Sequence, residues 1–228
     1  MRQLHLYLLL GGLCLAAQTP DDYQTEIGAA KAYLLERQHT LDQVAAEFPE
    51  NELQKVIATV FPELIRYELF RDFFETKALE LAYTQGGSTL ADFSIGPFQM
   101  KPSFVETLEF HIQHRPRLHR RLHTLLIPSN QPLRQARQQR LTRLQSFEWQ
   151  CRYAQAVHLV LRDCYPTLAS GSDEDWLRFC ATAYNYGFHR PIEDIQAWST
   201  RQVFPYGQHF EVPQQAYADF SWNYYNTP

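Results

Sequence analysis

Apolar residues recur at helical spacing along most of the chain. They form one face from Asp21 to Phe48, and Pro49 then opens a second stretch that reaches Phe61-Pro62. Because Pro62 has no amide hydrogen to donate, we expect a kink or a new start there. The pattern resumes at Leu64 and ends at Gly86-Gly87, a turn signal. The apolar positions of these faces are Ile27, Ala30, Tyr33, Leu34, Leu53, Val56, Ile57, Val60, Ile65, Leu69, Phe73, Leu79 and Leu81.

The second half of the chain has the same helical character. After a short irregular stretch from Thr89 to Met100, a helix is expected to start at Lys101-Pro102-Ser103. No strand of any length is expected, so the sequence predicts a mainly α fold. The further helices predicted are about Pro132 to Asp163, Trp176 to Tyr186 between a Ser172-Asp175 cap and Gly187, and about Pro213 to Tyr224.

Length and composition indicate one globular domain. The chain has 228 residues, of which 45% are hydrophobic and 14% aromatic, enough apolar side chain for a sizeable core. The formal net charge is −4, which gives no global argument for a nucleic-acid partner, since that function is typical of a basic face. No later segment reaches the roughly 20 apolar residues of a membrane-spanning helix, so we expect no membrane span.

The N-terminal stretch has the pattern of a secretory signal peptide. Arg2 precedes an apolar run from Leu6 to Leu15, and Ala16-Ala17 end it before the polar Gln18. We therefore expect residues 1–17 to be a signal peptide, residues 18–228 to be the mature domain, and the protein to be periplasmic or secreted. Cys14 permits a lipoprotein alternative, which the large Leu13 before it disfavours.

Three cysteines remain in the predicted mature chain, so at least one must be free. Cys151 and Cys164 would point to different faces of a single helix, which makes Cys164 with Cys180 the better candidate disulfide. Their spacing contains no CxxC pair and does not support a zinc site.

Three short stretches carry the candidate chemistry, and together they resemble a known family. They are Ala58–Glu63, Gly96–Pro102 and Ala183–Gly187. In this order, on a helical chain, they resemble the lysozyme-like lytic transglycosylases of the SLT type. In that family an apolar helix ends in the catalytic glutamate, a Gly-Leu-Met-Gln type loop follows, and an Ala-Tyr-Asn-Ala-Gly segment closes the groove.

The resemblance implies both a fold and a set of roles. It implies a lysozyme-like single domain, with a short irregular or β-hairpin-like loop lining the substrate groove, that cleaves peptidoglycan glycan strands without a cofactor. Glu63 corresponds to the catalytic acid, and the expected substrate-binding residues are Gly96, Gln99, Tyr184, Asn185 and Asp92. Tyr184 is expected to hydrogen-bond the glutamate or the sugar. The interval from Glu63 to Gly96 exceeds the usual family spacing, so an inserted helix is expected, and Leu64 stands where the family commonly has serine.

A single glutamate is sufficient for the implied reaction. An acid must protonate the glycosidic oxygen, and an apolar setting keeps a carboxyl protonated near neutral pH. The apolar neighbours Phe61 and Leu64 can supply this setting. Hydrolases of this type usually add a second carboxylate to activate water. In lytic transglycosylases the sugar's own 6-hydroxyl attacks instead and leaves a 1,6-anhydromuramyl end.

Three alternatives stay open at this stage. Asp92 stands where goose-type lysozymes place a helping carboxylate, which permits a hydrolytic outcome. Glu75 is the alternative acid, against the simpler interpretation of an exposed helix residue that faces Arg71 or Lys77. A lysozyme-like domain that binds glycan without turnover is the third.

The interval between Glu109 and Glu148 contains no acid and holds eight arginines. These can bind stem-peptide carboxylates, meet an anionic membrane or polymer, or form a solvated face with salt bridges, which is the default expectation. The same interval holds four histidines without an acid to complete a metal set, so we assign no metal. The arginines are Arg115, Arg117, Arg120, Arg121, Arg134, Arg137, Arg140 and Arg143, and the histidines are His111, His114, His119 and His123.

Overall fold

Helices dominate the computed structural model, which describes residues 23–48, 52–70, 77–207 and 214–227. The mainly α class predicted from the sequence is confirmed. The helices are α1 Gln24–Leu35, α2 Gln38–Ala46, α3 Leu53–Phe70, α4 Lys77–Gly86, α5 Pro102–Gln113, α6 Pro116–Leu122, α7 Leu133–Leu144, α8 Phe147–Cys164, α9 Pro166–Ala169, α10 Asp173–Tyr186, α11 Ile192–Trp198 and α12 Tyr217–Asn226.

Helix α3 lies at the centre of the fold. It packs against α1, α8, α10 and α12, and its apolar residues from Val56 to Ile65 are buried. The ring of Phe61 stacks on Tyr224 of α12, with the ring centroids 3.9 Å apart. Burial of a large aromatic ring contributes strongly to the core. This packing fixes α3, and with it the position of Glu63.

The new helix start that Pro62 allowed is wrong, because α3 runs through this residue without interruption. A proline inside a helix removes one hydrogen bond and costs about 3 kcal/mol. The helix is nevertheless retained because its flanking residues Phe61 and Leu64 are almost fully buried in the core. Tertiary packing therefore outweighs the local preference of proline.

Two long predicted helices are each divided in the structure. The stretch from Asp21 to Phe48 separates into α1 and α2 around Glu36 and Arg37. The stretch from Pro132 to Asp163 separates at Ser146, whose side chain accepts a hydrogen bond from the Trp149 amide and caps α8. A serine cap can start a new helix even where the apolar spacing continues. The apolar spacing alone therefore did not predict this boundary.

Several predicted boundaries are confirmed. Ser172 caps α10 by accepting a hydrogen bond from the Asp175 amide at 3.1 Å. The helix ends at Gly187, whose φ of 125° is a conformation that favours glycine. Helix α4 ends at the predicted Gly86-Gly87 turn.

The structure also contains elements that the sequence pattern did not predict. Strand β1 (Gln202–Phe204) pairs antiparallel with β2 (Gln215–Ala216), although no strand was expected. The last helix begins at Tyr217, because Gln215 and Ala216, which were expected to be helical, form β2. Strands this short leave too few alternating positions to be recognised.

The predicted disulfide between Cys164 and Cys180 is wrong. Cys151, Cys164 and Cys180 are all free. Cys180 is fully buried within the core, whereas Cys164 is half-buried and accepts a hydrogen bond from Nη2 of Arg115 at 3.0 Å. The two thiols therefore have separate surroundings.

The signal peptide predicted at residues 1–17 and the alternative acid Glu75 lie outside the described residues. The predicted helix starts at Asp21, Pro49 and Pro213 and the apolar position Phe73 lie outside them as well. Within the ranges that the structure describes, none of the helices combines the length and the apolar character that a membrane span requires.

Candidate functional site

A groove of about 320 Å³ brings the three sequence motifs together. Glu63 from α3, Gln99 from the loop before α5, and Tyr184 with Asn185 from the end of α10 all line it. Asp92 lines the groove as well. We call this cavity the Glu63 groove. Five of the six predicted site residues thus meet here, although they lie far apart in the chain.

Gly96 is the predicted residue that does not line the groove. It shapes the loop from behind, with φ of 66°. The backbones of Ile95 and Met100 pair as an antiparallel bridge through hydrogen bonds of 3.0 and 3.2 Å, so the segment is hairpin-like, as predicted. Gln99, with φ of 49°, also adopts the left-handed conformation, and its side-chain nitrogen donates to the Gly96 carbonyl at 2.7 Å.

Gln150 of α8 holds this loop in place. Its side-chain oxygen accepts from the Phe98 amide at 2.8 Å, and its nitrogen donates to the carbonyls of Ile95 and Leu144. The side chain is completely buried, and these three backbone groups are its hydrogen-bond partners among the described residues. Sequence reasoning missed Gln150, although a glutamine on the apolar face of a predicted helix is a signal of a buried polar role.

Glu63 is the buried acid of the site. The residue is only 3% exposed, and its two oxygens accept hydrogen bonds from Nη1 of Arg66 at 3.1 and 2.9 Å. The side chains of Asn185 and Tyr217 are also hydrogen-bonded to this carboxyl group. Arg66 in turn is held by the carbonyl of Pro205 and by the ring of Phe204, 4.7 Å from its guanidinium.

Opposing forces act on the ionisation of Glu63. Burial raises the pKa, because a charged carboxylate is poorly solvated in the core. The positive charge of Arg66 and the hydrogen bonds from Asn185, Arg66 and Tyr217 lower it. The balance leaves the pKa of Glu63 above the usual 4.5. A carboxyl group in this state is suited to donate a proton.

Tyr184 does not contact the glutamate in the expected way. Its hydroxyl donates to the Phe98 carbonyl at 2.7 Å and so ties α10 to the loop. Burial raises the pKa of Tyr184 well above 10, and the nearby negative charge of Glu63 adds to this effect. Tyr184 is therefore a neutral positioning residue.

Asp92 has a structural role that the sequence did not indicate. Its two oxygens accept from the Ser103 amide at 3.0 Å and from the Ser103 hydroxyl at 2.7 Å. Ser103 lies in the first turn of α5, where a carboxylate is stabilised by the free amides and the helix dipole. The carboxylate is thus engaged at the helix terminus.

Tyr217 is a site residue that sequence reasoning missed. It opens α12 and is buried, and its hydroxyl, which lies beside the Glu63 carboxyl group, donates to the Thr59 carbonyl at 3.1 Å. No signal in the sequence predicted this contact, because it depends on how the C-terminal helix packs against α3.

Two of the eight arginines are buried and lie in the core rather than on a solvated face. Arg140 forms an ion pair of 2.7 Å with Glu109, and both side chains are nearly buried, so Arg140 does not belong to a solvated face. Arg143 donates to the Leu125 carbonyl at 2.6 Å and lies 4.0 Å from the ring of Trp149. Arg117 and Arg120, in contrast, are exposed.

A second and larger cavity, about 680 Å³, lies between α10, α11 and the start of α12. Arg178 and Asp219 line it and form an ion pair of 2.6 Å. None of the predicted site residues lines this cavity. Arg178 and Asp219 are paired with each other, and the remaining acid, Asp175, accepts a hydrogen bond from the Ser172 hydroxyl. The Glu63 groove is therefore the better candidate for chemistry.

Within the described ranges, no group of three or more His, Cys, Asp or Glu side chains is placed to hold a metal ion. Comparisons with protein-family models, with curated proteins and with solved structures find no match to this chain.

Proposed function

We propose that this chain is a secreted or periplasmic enzyme that cleaves the β-1,4 bond between MurNAc and GlcNAc in peptidoglycan by lytic transglycosylation. One observation carries the proposal: a glutamate with a raised pKa lies in a groove that also gathers the two other motifs of the resemblance. Sequence motifs that matched the family by chance would not be expected to line the same cavity. This convergence supports the lysozyme-like resemblance independently of chain order.

The proposed reaction uses Glu63 twice. The protonated carboxyl donates its proton to the glycosidic oxygen, and the bond from that oxygen to C1 of the muramyl residue breaks. The 6-hydroxyl of the same residue then forms a new bond to C1 and returns its proton to the Glu63 carboxylate. The products are a 1,6-anhydromuramyl end and a free GlcNAc hydroxyl, and the glutamate regains its starting state.

The neighbours of Glu63 fit the two halves of this cycle. Burial favours the protonated acid that begins the reaction, and Arg66 stabilises the carboxylate that exists between the two proton transfers. Asn185 and Gln99 carry amide groups that can both donate to and accept from sugar hydroxyl and N-acetyl groups. We assign them to substrate binding.

The position of Asp92 supports transglycosylation over hydrolysis. A hydrolytic muramidase of this type needs a second carboxylate to activate water or stabilise the intermediate. Glu63 and Asp92 are the acids that line the groove within the described residues, and Asp92 is bound to both polar groups of Ser103. An internal hydroxyl nucleophile requires no second acid.

A second candidate, a glycan-binding domain without turnover, is favoured by one observation. Arg66 binds both oxygens of Glu63, as in a structural ion pair that holds an acid in its charged form. In this alternative the groove binds peptidoglycan, and replacing Glu63 leaves binding unaffected or weakens it.

The experiment that separates the two candidates measures the release of soluble fragments from purified peptidoglycan sacculi. We expect the wild-type protein to release fragments and Glu63→Gln to lose at least about 100-fold of this rate, the usual contribution of a general acid. Glu68→Gln, on the same helix but outside the groove lining, is the matched control and should keep the wild-type rate. Sedimentation with sacculi but no release by the wild-type protein would favour the binding domain.

A further inference from the structure

The Glu63 groove carries more positive charge than its own acids neutralise. Arg66, Lys101 and Arg190 line it, together with the acids Glu63 and Asp92. Glu63 is paired with Arg66, and Asp92 is bound to Ser103. Lys101 and Arg190 therefore have no carboxylate partner among the residues that the structure describes.

Arg190 is held in position for a ligand. Its Nε donates to the Tyr186 carbonyl at 3.1 Å, and its guanidinium lies 4.4 Å from the centre of the Tyr186 ring. The Tyr186 ring stacks on Trp198, with the ring centroids 4.3 Å apart. Because only Nε donates to the protein, the two terminal nitrogens of Arg190 can donate to a ligand. A guanidinium presented in this way is suited to bind a carboxylate with two hydrogen bonds.

The backbone next to Arg190 supports this arrangement. Gly187 has φ of 125°, and a Cβ at this position would lie 3.3 Å from Nε of Arg190. The turn that ends α10 thus packs directly under the arginine side chain. Lys101 precedes the first residue of α5, and its exposed ammonium group adds a second cation to the groove lining.

His189 also lines the groove but does not add to this charge near neutral pH. Burial lowers its pKa, and the neighbouring charge of Arg190 lowers it further. The cations available to a ligand are therefore Lys101 and Arg190.

We propose that Lys101 and Arg190 form a subsite for a carboxylate of the peptide stem that the muramyl lactyl group carries. This inference rests on the proposed function, and it specifies the substrate as stem-bearing glycan. A neutral glycan would fill the groove without a partner for either cation. The subsite therefore selects acidic, peptide-substituted strands.

The test measures the binding of two soluble probes to the Glu63→Gln protein, which removes turnover. One probe is a peptidoglycan tetrasaccharide with its stem peptides, and the other is the same fragment with its carboxylates converted to neutral amides. We expect the acidic fragment to bind about fivefold tighter, in line with two partly exposed ion pairs. Added salt should reduce this ratio, because it screens exposed charges.

Variants identify the residues responsible for the preference. Adding Lys101→Gln and Arg190→Gln should bring the ratio close to one, whereas Arg117→Gln, an exposed arginine on α6, should leave it unchanged. Equal binding of both fragments, or an unchanged ratio in the double variant, would overturn the subsite while the proposed function stands. Binding of neither fragment would overturn both.

Discussion

Both carboxylate oxygens of Glu63 accept a hydrogen bond from Nη1 of Arg66, at 3.1 and 2.9 Å, across one turn of α3. This pair opposes the effect of burial, so the strength of Glu63 as an acid depends on Arg66. The relationship links the geometry of the groove to the pH dependence of the proposed reaction.

Replacing Arg66 by glutamine should move the pH profile of cleavage. The positive charge lowers the pKa of Glu63, so its loss raises this pKa further and keeps the acid protonated to higher pH. The limb of kcat/KM that falls with increasing pH should therefore shift to higher pH in Arg66→Gln, and Arg66→Lys should restore part of the wild-type position.

The control for this profile is Arg178→Gln, which removes an arginine of similar exposure from a different cavity. Its pH profile should match that of the wild-type protein. A profile that stays in place in Arg66→Gln would mean that Glu63 is not the group that titrates in the reaction.

The stability of the fold should also depend on Glu63. Burial raises its pKa in the folded protein above the unfolded value, so the folded state binds more protons between these two values. The stabilising contribution of the protonated group is complete below the unfolded pKa, near 4.5, and is lost as the pH rises through the folded pKa. Glu63→Gln does not titrate at this position.

The free energy of unfolding of Glu63→Gln should therefore increase relative to the wild-type protein as the pH rises from 4 to 7. The slope of the difference can reach at most about 1.4 kcal/mol per pH unit for one group. Urea unfolding at several pH values measures it. A difference that falls with pH would show that Arg66 dominates and that Glu63 is held as a structural carboxylate.

Gly96→Ala should disrupt the loop that carries Gln99. A Cβ at position 96 would lie 2.2 Å from Nε2 of Gln150, and φ there is 66°. Something must move, and Gln150 is fixed by hydrogen bonds to three backbone groups. We expect a loss of about 2 kcal/mol or more in unfolding free energy, comparable with leaving a buried polar group unpaired, together with weaker substrate binding.

Gly28→Ala is the matched control for that substitution. Gly28 lies on the exposed side of α1, and a Cβ there meets no atom within 4 Å. It should stabilise the protein by about 1 kcal/mol, because alanine favours a helix more than glycine does. Equal effects of the two substitutions would remove the argument that Gly96 is needed for close packing.

Much of this fold could be predicted from the sequence, because helical spacing and capping residues act locally. Ser172 and Gly187 mark the two ends of α10 as expected. The continuous helix through Pro62 could not be predicted, since burial of Phe61 and Leu64 decides it. That packing becomes apparent only when α12 covers α3.

In the candidate site, too, local sequence signals could be predicted and contacts between distant segments could not. Motif residues such as Glu63 and Asn185 could be found because they occur in short recognisable stretches. Arg66, Gln150 and Tyr217 could not, since their roles arise from contacts between distant segments. The role assigned to Asp92 was incomplete for a related reason: its hydrogen bonds with Ser103 depend on the path of the loop before α5.

Two substitutions at Asp92 separate its capping role from a catalytic one. Asn can cap a helix as Asp does, so Asp92→Asn should keep both stability and the rate of cleavage. Asp92→Ala should lose about 1 kcal/mol of unfolding free energy through the lost hydrogen bonds to Ser103. A large loss of cleavage in Asp92→Asn, with normal stability, would instead make Asp92 a second catalytic carboxylate and favour hydrolysis.

The most direct test of the central claim is mass spectrometry of the products from purified peptidoglycan, with the wild-type protein and Glu63→Gln in parallel. We expect 1,6-anhydromuramyl ends from the wild-type protein and none from Glu63→Gln. Anhydromuramyl ends released equally by both proteins would contradict the assignment of Glu63, and reducing ends from the wild-type protein would contradict transglycosylation.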